Sequence, residues 1–160
     1  MRQNKRIFLF VLLSLLAVVF IFSNSLDSRA VSNDRSNEIA DKIKPIVDPQ
    51  DTVPHGTFNH YVRKSAHFLE FAALGFCLMG LSDAIGRKHS IPIVPAALLA
   101  ALLAALFVAS TDETLQFFAV ERGPGIKDVL LDFFGAACGL ALMLLCLVCE
   151  KHMKHKREKD

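Results

Sequence analysis

What limits the folding of this chain most is the recurrence of apolar runs about as long as a bilayer is thick. A membrane-crossing helix takes about 20 predominantly apolar residues. Runs near that length occupy Ile7–Phe22, Arg63 to about Leu81, Pro92 to about Ala109, and Val129–Cys149. The chain has 160 residues, 52% of them hydrophobic, and a mean hydropathy of +0.38. That apolar excess stands in blocks rather than in amphipathic stripes, which excludes an ordinary soluble domain. The expected fold is all-α, an integral membrane bundle of four transmembrane helices at about 7–23, 65–82, 92–110 and 129–149. The lipid bilayer is then the first partner. A net charge of only +2 gives no reason to expect nucleic acid.

The first run follows Arg2, Lys5 and Arg6, the arrangement of a signal peptide. Its exit, SNSLDSRA, is a weak cleavage site and further spans follow, so a retained first span is expected. Residues 24–62 form an external connector. Ser32 or Asn33 is placed to cap a short helix that Pro45 ends. Its edge of Ile39, Ile43 and Ile46 fits either contact with the membrane surface or a plain solvated segment. Val47–Asn59 is rich in Pro, Gly and Asp and reads as loop, and Ser82–Ile91 as a short connector. The Ala/Leu block PAALLAALLAALF suits a buried central helix. Gly135 and Gly139, four apart in GAACG, form a small contact face. Gly123, Pro124 and Gly125 turn the chain between the last two spans. The basic tail, 150–160, is expected to be unstructured and cytoplasmic.

Charge sets the orientation. With the N-terminus in the cytoplasm, ten Lys and Arg fall in short cytoplasmic segments, and the opposite side holds eight, spread mainly over the long connector. Basic density in short loops decides orientation, so both termini are expected to be cytoplasmic. The pair Arg63–Lys64 on the outer side runs against this rule locally. The four Cys, at 77, 138, 146 and 149, lie in or at the end of apolar runs and read as packing residues. Cys146, Cys149 and His152 have metal-like spacing but no clear fourth ligand.

Two polar stretches interrupt the apolar blocks at the outer side. RKSAHFLE places Arg63, His67 and Glu70 at i, i+4 and i+7, on one helix face. STDETLQ and the segment after it bring Asp112, Glu113, Gln116, Glu121, Arg122, Lys127, Asp128 and Asp132. Lipid does not solvate such groups, so they are expected to turn inward and meet in one outer-leaflet pocket, with Asp132 at its base. Three readings stay open. In one, Arg63, Lys64 and Arg122 neutralise the acids and only hold the bundle together. In another, the cluster binds or modifies a polar headgroup or a lipid-linked or lipopeptide ligand. Arg recognises phosphate or carboxylate, and His67, Glu70, Glu113 and Asp128 are the candidates for any catalysis. In the last, those four cage a cation; HFLE matches the usual Glu-then-His order of bundle metal sites only loosely, so no metal is assigned. No cofactor is named by these residues, and no Ser or Cys nucleophile stands in a motif.

At these residues the chain resembles the VanZ-like family of small membrane proteins. YVRKSAHFLEFAALG is similar to the family's Arg-Lys…His-Phe-x-Glu segment. TDETLQFFAVERGPGIKDVLLDFFGAACG is similar to its Asp-Glu-x-x-Gln-x-Phe…Arg…Asp-Val-x-x-Asn/Asp…Gly segment, and IFSNSLDS to a weaker stretch after the first span. The resemblance covers about Phe20 to Leu140. It implies a multi-pass protein of the cell membrane. It also implies marked ligand-binding positions at Arg63, Lys64, His67, Glu70, Asp112, Glu113, Gln116, Arg122 and Asp128. Asp132 stands where many members have Asn, which makes the cluster more acidic. The family's name comes from a member tied to teicoplanin resistance, so the resemblance implies a link to cell-wall antibiotic response, without carrying that phenotype to this chain.

Overall fold

The computed structural model describes residues 2–89, 95–119 and 125–157. Five helices follow in order: α1 (Arg2–Leu26), α2 (Arg29–Val47), α3 (His55–Lys88), α4 (Pro95–Gln116) and α5 (Ile126–Arg157). Among the described residues there is no strand. Four of the helices, α1, α3, α4 and α5, are long and apolar enough to cross a membrane. Their outward faces are apolar: Phe8, Leu15, Leu16 and Phe20 on α1, Leu99, Leu103 and Phe107 on α4, and Phe134, Leu142 and Leu145 on α5 are all exposed. A continuous apolar exterior of this extent is a membrane-contact surface rather than a water-facing one.

The central helix is α3, not the Ala/Leu block. It packs against each of the other four helices, and most extensively against α5 and then α1. The reason lies in residue size. Gly135 and Gly139 lie in α5 against the carbonyls of Phe68 and Ala72, and Gly75 of α3 lies against the backbone of Ala136. Three glycines without Cβ atoms thus let α3 and α5 approach to backbone contact, the arrangement that small residues allow between membrane helices. The Ala-rich α4 instead buries one alanine edge, Ala101, Ala105 and Ala109, and turns Leu99, Leu103 and Leu106 outward. Phe71 and Leu74 of α3, Ile21 of α1, and Ala136 of α5 join Ala105 and Ala109 in one core layer. Met79, Ala101, Leu140, Met143 and Leu147 make the next, toward the chain's C-terminal end.

The connectors are more helical than the sequence suggests. Helix α2 starts four or five residues before the expected Ser32 or Asn33 cap, because Ser28 takes that role and its Oγ accepts from the Val31 N–H at 3.3 Å. It also runs through Pro45 to Val47. Ser36, Ala40 and Lys44 form its buried edge, while Ile39, Ile43 and Ile46 stay exposed. The loop before α3 closes around Asp48. Its carboxylate accepts from the N–H groups of Val53 (2.9 Å) and Thr52 (3.0 Å) and from the Thr52 hydroxyl (2.7 Å). Lys44 pairs with both Asp48 and Asp51. The Val53 and Thr52 donors hold the Asp48 carboxyl well below the usual carboxylate range.

Helix α3 then begins at His55, inside the expected loop, and continues past Ser82 to Lys88. At 34 residues it is about 51 Å long, so it overshoots a hydrocarbon core of about 30 Å. Its first turns carry the α2 contact. Its last turns hold buried Asp83, 4% exposed. Both Asp83 oxygens lie 2.8–2.9 Å from Arg87 Nε, Arg6 of α1 stands 3.3 Å away, and Arg87 reaches Glu150 of α5 at 3.6 Å. This network ties three helices at the end opposite α2. Helix α5 extends to Arg157, so most of the basic tail is ordered as helix. Gly123 and Pro124 of the expected turn lie outside the described residues.

Candidate functional site

The polar residues singled out in the sequence gather at the α2 end of the bundle, in two adjoining places rather than one. The geometry of α3 explains the division. At about 100° per residue, Arg63 and Glu70 lie about 40° and 60° to one side of His67. Lys64 lies about 60° to the other side and Phe68 about 100°. The first side faces α1 and α2, and the second faces the α5 seam. His67 sits on the ridge between them.

On the seam side, His67, Asp112 and Asp132 bring one ligand atom each within 4.8 Å of the others. Asp112 and Asp132 are 0% and 1% exposed. His67 Nδ1 stands 4.0 Å from Asp132 Oδ1. The acids around this trio are engaged. Gln116 Nε2 donates to Asp112 Oδ2 at 3.3 Å and to Glu113 Oε1 at 3.0 Å. Glu113 Oε2 accepts from the Gly125 N–H at 2.8 Å, which joins the end of α4 to the start of α5. Asp128, one turn above Asp132, pairs with Lys64 of α3. Among the described residues, neither oxygen of Asp132 has a hydrogen-bond partner.

On the other side, Arg63, His67 and Glu70 share a cavity of about 350 Å³ with Asn24, Asp27, Arg35 and Phe20. Arg63 donates to Asn33 Oδ1 at 2.8 Å. Arg35 pairs with Asp27 at 2.6 Å and donates to Asn24 at 3.2 Å. Asn24 in turn donates to Glu70 Oε1 at 3.0 Å, while Glu70 Oε2 is buried with no hydrogen-bond partner among the described residues. A second, apolar cavity of about 450 Å³ runs between α1 and α3 along Leu16, Ala17, Ile21, Leu69 and Ala73. The two cavities share Phe20 and Glu70.

The expected group of His67, Glu70, Glu113 and Asp128 is therefore split. The structure gathers His67 with Asp112 and Asp132 and places Glu70 against α1, while Glu113 is bonded to Gln116 and Gly125 and Asp128 is paired with Lys64 beside that trio. Asp132 is beside His67. Arg122 and Glu121 lie outside the described residues. Four participants escaped the sequence reading: Asn24, Asp27, Asn33 and Arg35. Their signal is weak, because single polar residues after a span look like ordinary connector. Of the tail set, Cys146, Cys149 and His152 are exposed. The described residues form no metal-like group there.

No curated protein and no solved structure matches the chain. The protein-family model described as VanZ/LLP1 matches residues 8–147, a segment that takes in all four candidate spans and both polar stretches. On that match, the chain belongs to the VanZ/LLP1 family.

Proposed function

We propose that this membrane protein resides in the cell membrane with its α2 end outside and both termini cytoplasmic. There it binds an acylated envelope component, a lipid-linked precursor or lipopeptide, between α1, α2 and α3. The observation that carries this reading is that the two cavities share Phe20 and Glu70 in their walls. One cavity carries Arg35 and Arg63 on its wall, and the other is an apolar groove that a chain can follow into the bilayer. Arg forks suit a phosphate or carboxylate. The Glu70 oxygen without a partner suits a hydroxyl or amine on the same headgroup. The orientation rests on the density of Lys and Arg in the short segments at the other end. A role in cell-wall antibiotic response follows if the bound component is a precursor or antibiotic of this type.

The test is binding of a fluorescent acyl chain bearing a phosphate headgroup to the purified protein in detergent. Arg63→Ala is expected to weaken binding about tenfold, since a hydrogen bond to a charged group contributes about 1.5–3 kcal/mol. Leu69→Arg in the groove is expected to weaken it as well. A neutral acyl amphiphile of equal length that binds equally well refutes the headgroup reading. The Lys64–Asp128 pair favours a second reading, in which the charged cluster only stabilises the bundle. Under that reading, Arg63→Ala and His67→Ala lower the amount of folded protein and leave probe binding per folded molecule unchanged.

A further inference from the structure

We propose that His67, Asp112 and Asp132 form a binding site for one divalent transition-metal cation, Zn²⁺ or Mn²⁺, inside the bundle at the junction of α3, α4 and α5. One donor atom from each residue lies within 4.8 Å of the other two. The side chains come from three different helices, so the site exists only in the folded bundle. Asp132 points to a ligand independently of that clustering. It is 1% exposed, and neither oxygen has a hydrogen-bond partner among the described residues. Its nearby cation, Lys64, is held by Asp128.

The other acids do not share this condition. Glu113 has both oxygens bonded, and Glu70 has one bonded to Asn24. A buried carboxylate needs a partner to stay ionised, and a divalent cation between two aspartates neutralises both at once. Imidazole with two carboxylates is a donor set for Zn²⁺ or Mn²⁺ rather than for a thiolate-seeking ion. Zn²⁺ bonds of about 2.0–2.2 Å put tetrahedral donors about 3.4 Å apart. His67 Nδ1 and Asp132 Oδ1, at 4.0 Å, then need to close by only about 0.6 Å. Gln116, donating to Asp112 Oδ2, supplies the kind of outer hydrogen bond that orients a ligating carboxylate. This site stands whether or not the α1–α2–α3 cavity takes an acylated ligand.

The experiment uses the full chain, purified in detergent, stripped with a chelator and titrated with Zn²⁺, Mn²⁺ or Co²⁺ alone. No amphiphile probe is present, so failure here leaves the headgroup reading untouched. One ion per chain is expected, with a melting temperature that climbs with the logarithm of free metal, as binding to the native state alone requires. Asp132→Asn and His67→Ala are each expected to lower the affinity at least tenfold, while Cys146→Ser/Cys149→Ser leaves it unchanged. The Co²⁺ spectrum of the unaltered protein is expected to show d–d bands without thiolate charge transfer, a readout that needs no variant to fold. Absence of metal-dependent stabilisation overturns the proposal. So does a Co²⁺–thiolate band, or binding that survives Asp132→Asn and Asp112→Asn and disappears in the cysteine variant.

Discussion

Gly139→Ala tests the α3–α5 seam on which the grouping of His67 with Asp132 depends. A Cβ built on Gly139 falls onto the carbonyl oxygen of Ala72, with the Ala72 carbonyl carbon 2.6 Å away and its Cα 2.9 Å away. Both atoms belong to the α3 backbone, so no side chain can rotate aside, and the two helices must part. Overpacking of this kind costs about 1–3 kcal/mol, a change of roughly 5- to 150-fold in the folded-to-unfolded ratio. The displacement also reaches Gly135, whose site for a Cβ is closed by Phe68 O at 2.5 Å. Asp132 lies two turns before Gly139, so its distance to His67 grows with the same movement. The assay is reversible unfolding in mixed micelles, with far-UV circular dichroism as the signal. Gly56→Ala is the control, because nothing lies within 4 Å of a Cβ there. It is expected to be neutral or slightly stabilising, since Ala is the better helix former by about 1 kcal/mol. If Gly139→Ala is as mild as Gly56→Ala, the backbone contact between α3 and α5 is wrong, and so is the placement of Asp132.

Three further outcomes are expected. In a chain without its native cysteines, a cysteine at Asn33 or Asn37 reacts with an impermeant thiol reagent on intact cells and one at Arg87 does not; labelling of Arg87 from outside overturns the orientation. A double-mutant cycle on Asp83 and Arg87 gives a coupling of about 1.5–3 kcal/mol in denaturant unfolding, because two charge-assisted contacts are lost together; a coupling under about 0.5 kcal/mol means that Arg6 alone satisfies Asp83. Asp48 has a depressed pKa in the folded protein, so its contribution is complete above its unfolded value of about 3.9 and is lost as pH falls through the lower folded value. Amide-exchange protection of Thr52 and Val53, corrected for intrinsic rate, therefore survives to below pH 3.9 in the native protein and is lost at neutral pH in Asp48→Ala; equal protection in both counts against the Asp48 clasp.

The number, order and helical nature of the spans were legible because bilayer thickness fixes the length of an apolar run. The GAACG face was legible for a related reason: small residues four apart mark a place where another backbone can come close. What the sequence did not reveal was which helix the seam would choose. Pro95–Phe107 looked central by composition, yet alanine still carries a Cβ, and backbone contact went to the glycines of α3 and α5. Helix ends were blurred where a polar side chain found a partner three or four residues along the chain. Ser28 capped α2 ahead of Ser32 and Asn33, and Asp83 kept α3 helical by drawing Arg87 and Arg6 to it. The polar cluster was legible as a cluster, since lipid forces such groups inward. Its division was not, because it depends on the angular position of His67 relative to a seam that the sequence leaves unassigned.

That angular position determines how variants at this end of the bundle must be read. His67 lies on the ridge of α3, lining the cavity toward Arg63 and Glu70 and standing 4.0 Å from Asp132 on the other side. Removing its ring therefore disturbs both places, and a phenotype of His67→Ala alone cannot be assigned to either. Arg63 and Lys64 are adjacent in sequence but about 100° apart around the helix, so they separate the two sides cleanly. Arg63 reaches Asn33 of α2, whereas Lys64 reaches Asp128 of α5. This also gives each member of the basic pair a partner of its own. Each member serves a different neighbour of α3, and neither is surplus charge left to the loop. Loss of Arg63 therefore bears on the cavity between α1, α2 and α3. Loss of Lys64 releases Asp128 one turn from Asp132, adding negative charge beside the trio. On this geometry Lys64→Ala strengthens the pull on a cation at His67, Asp112 and Asp132 while loosening the α3–α5 contact above it. Metal affinity and thermal stability in the metal-free protein consequently move in opposite directions for this variant, a divergence that a purely structural role for the cluster does not produce.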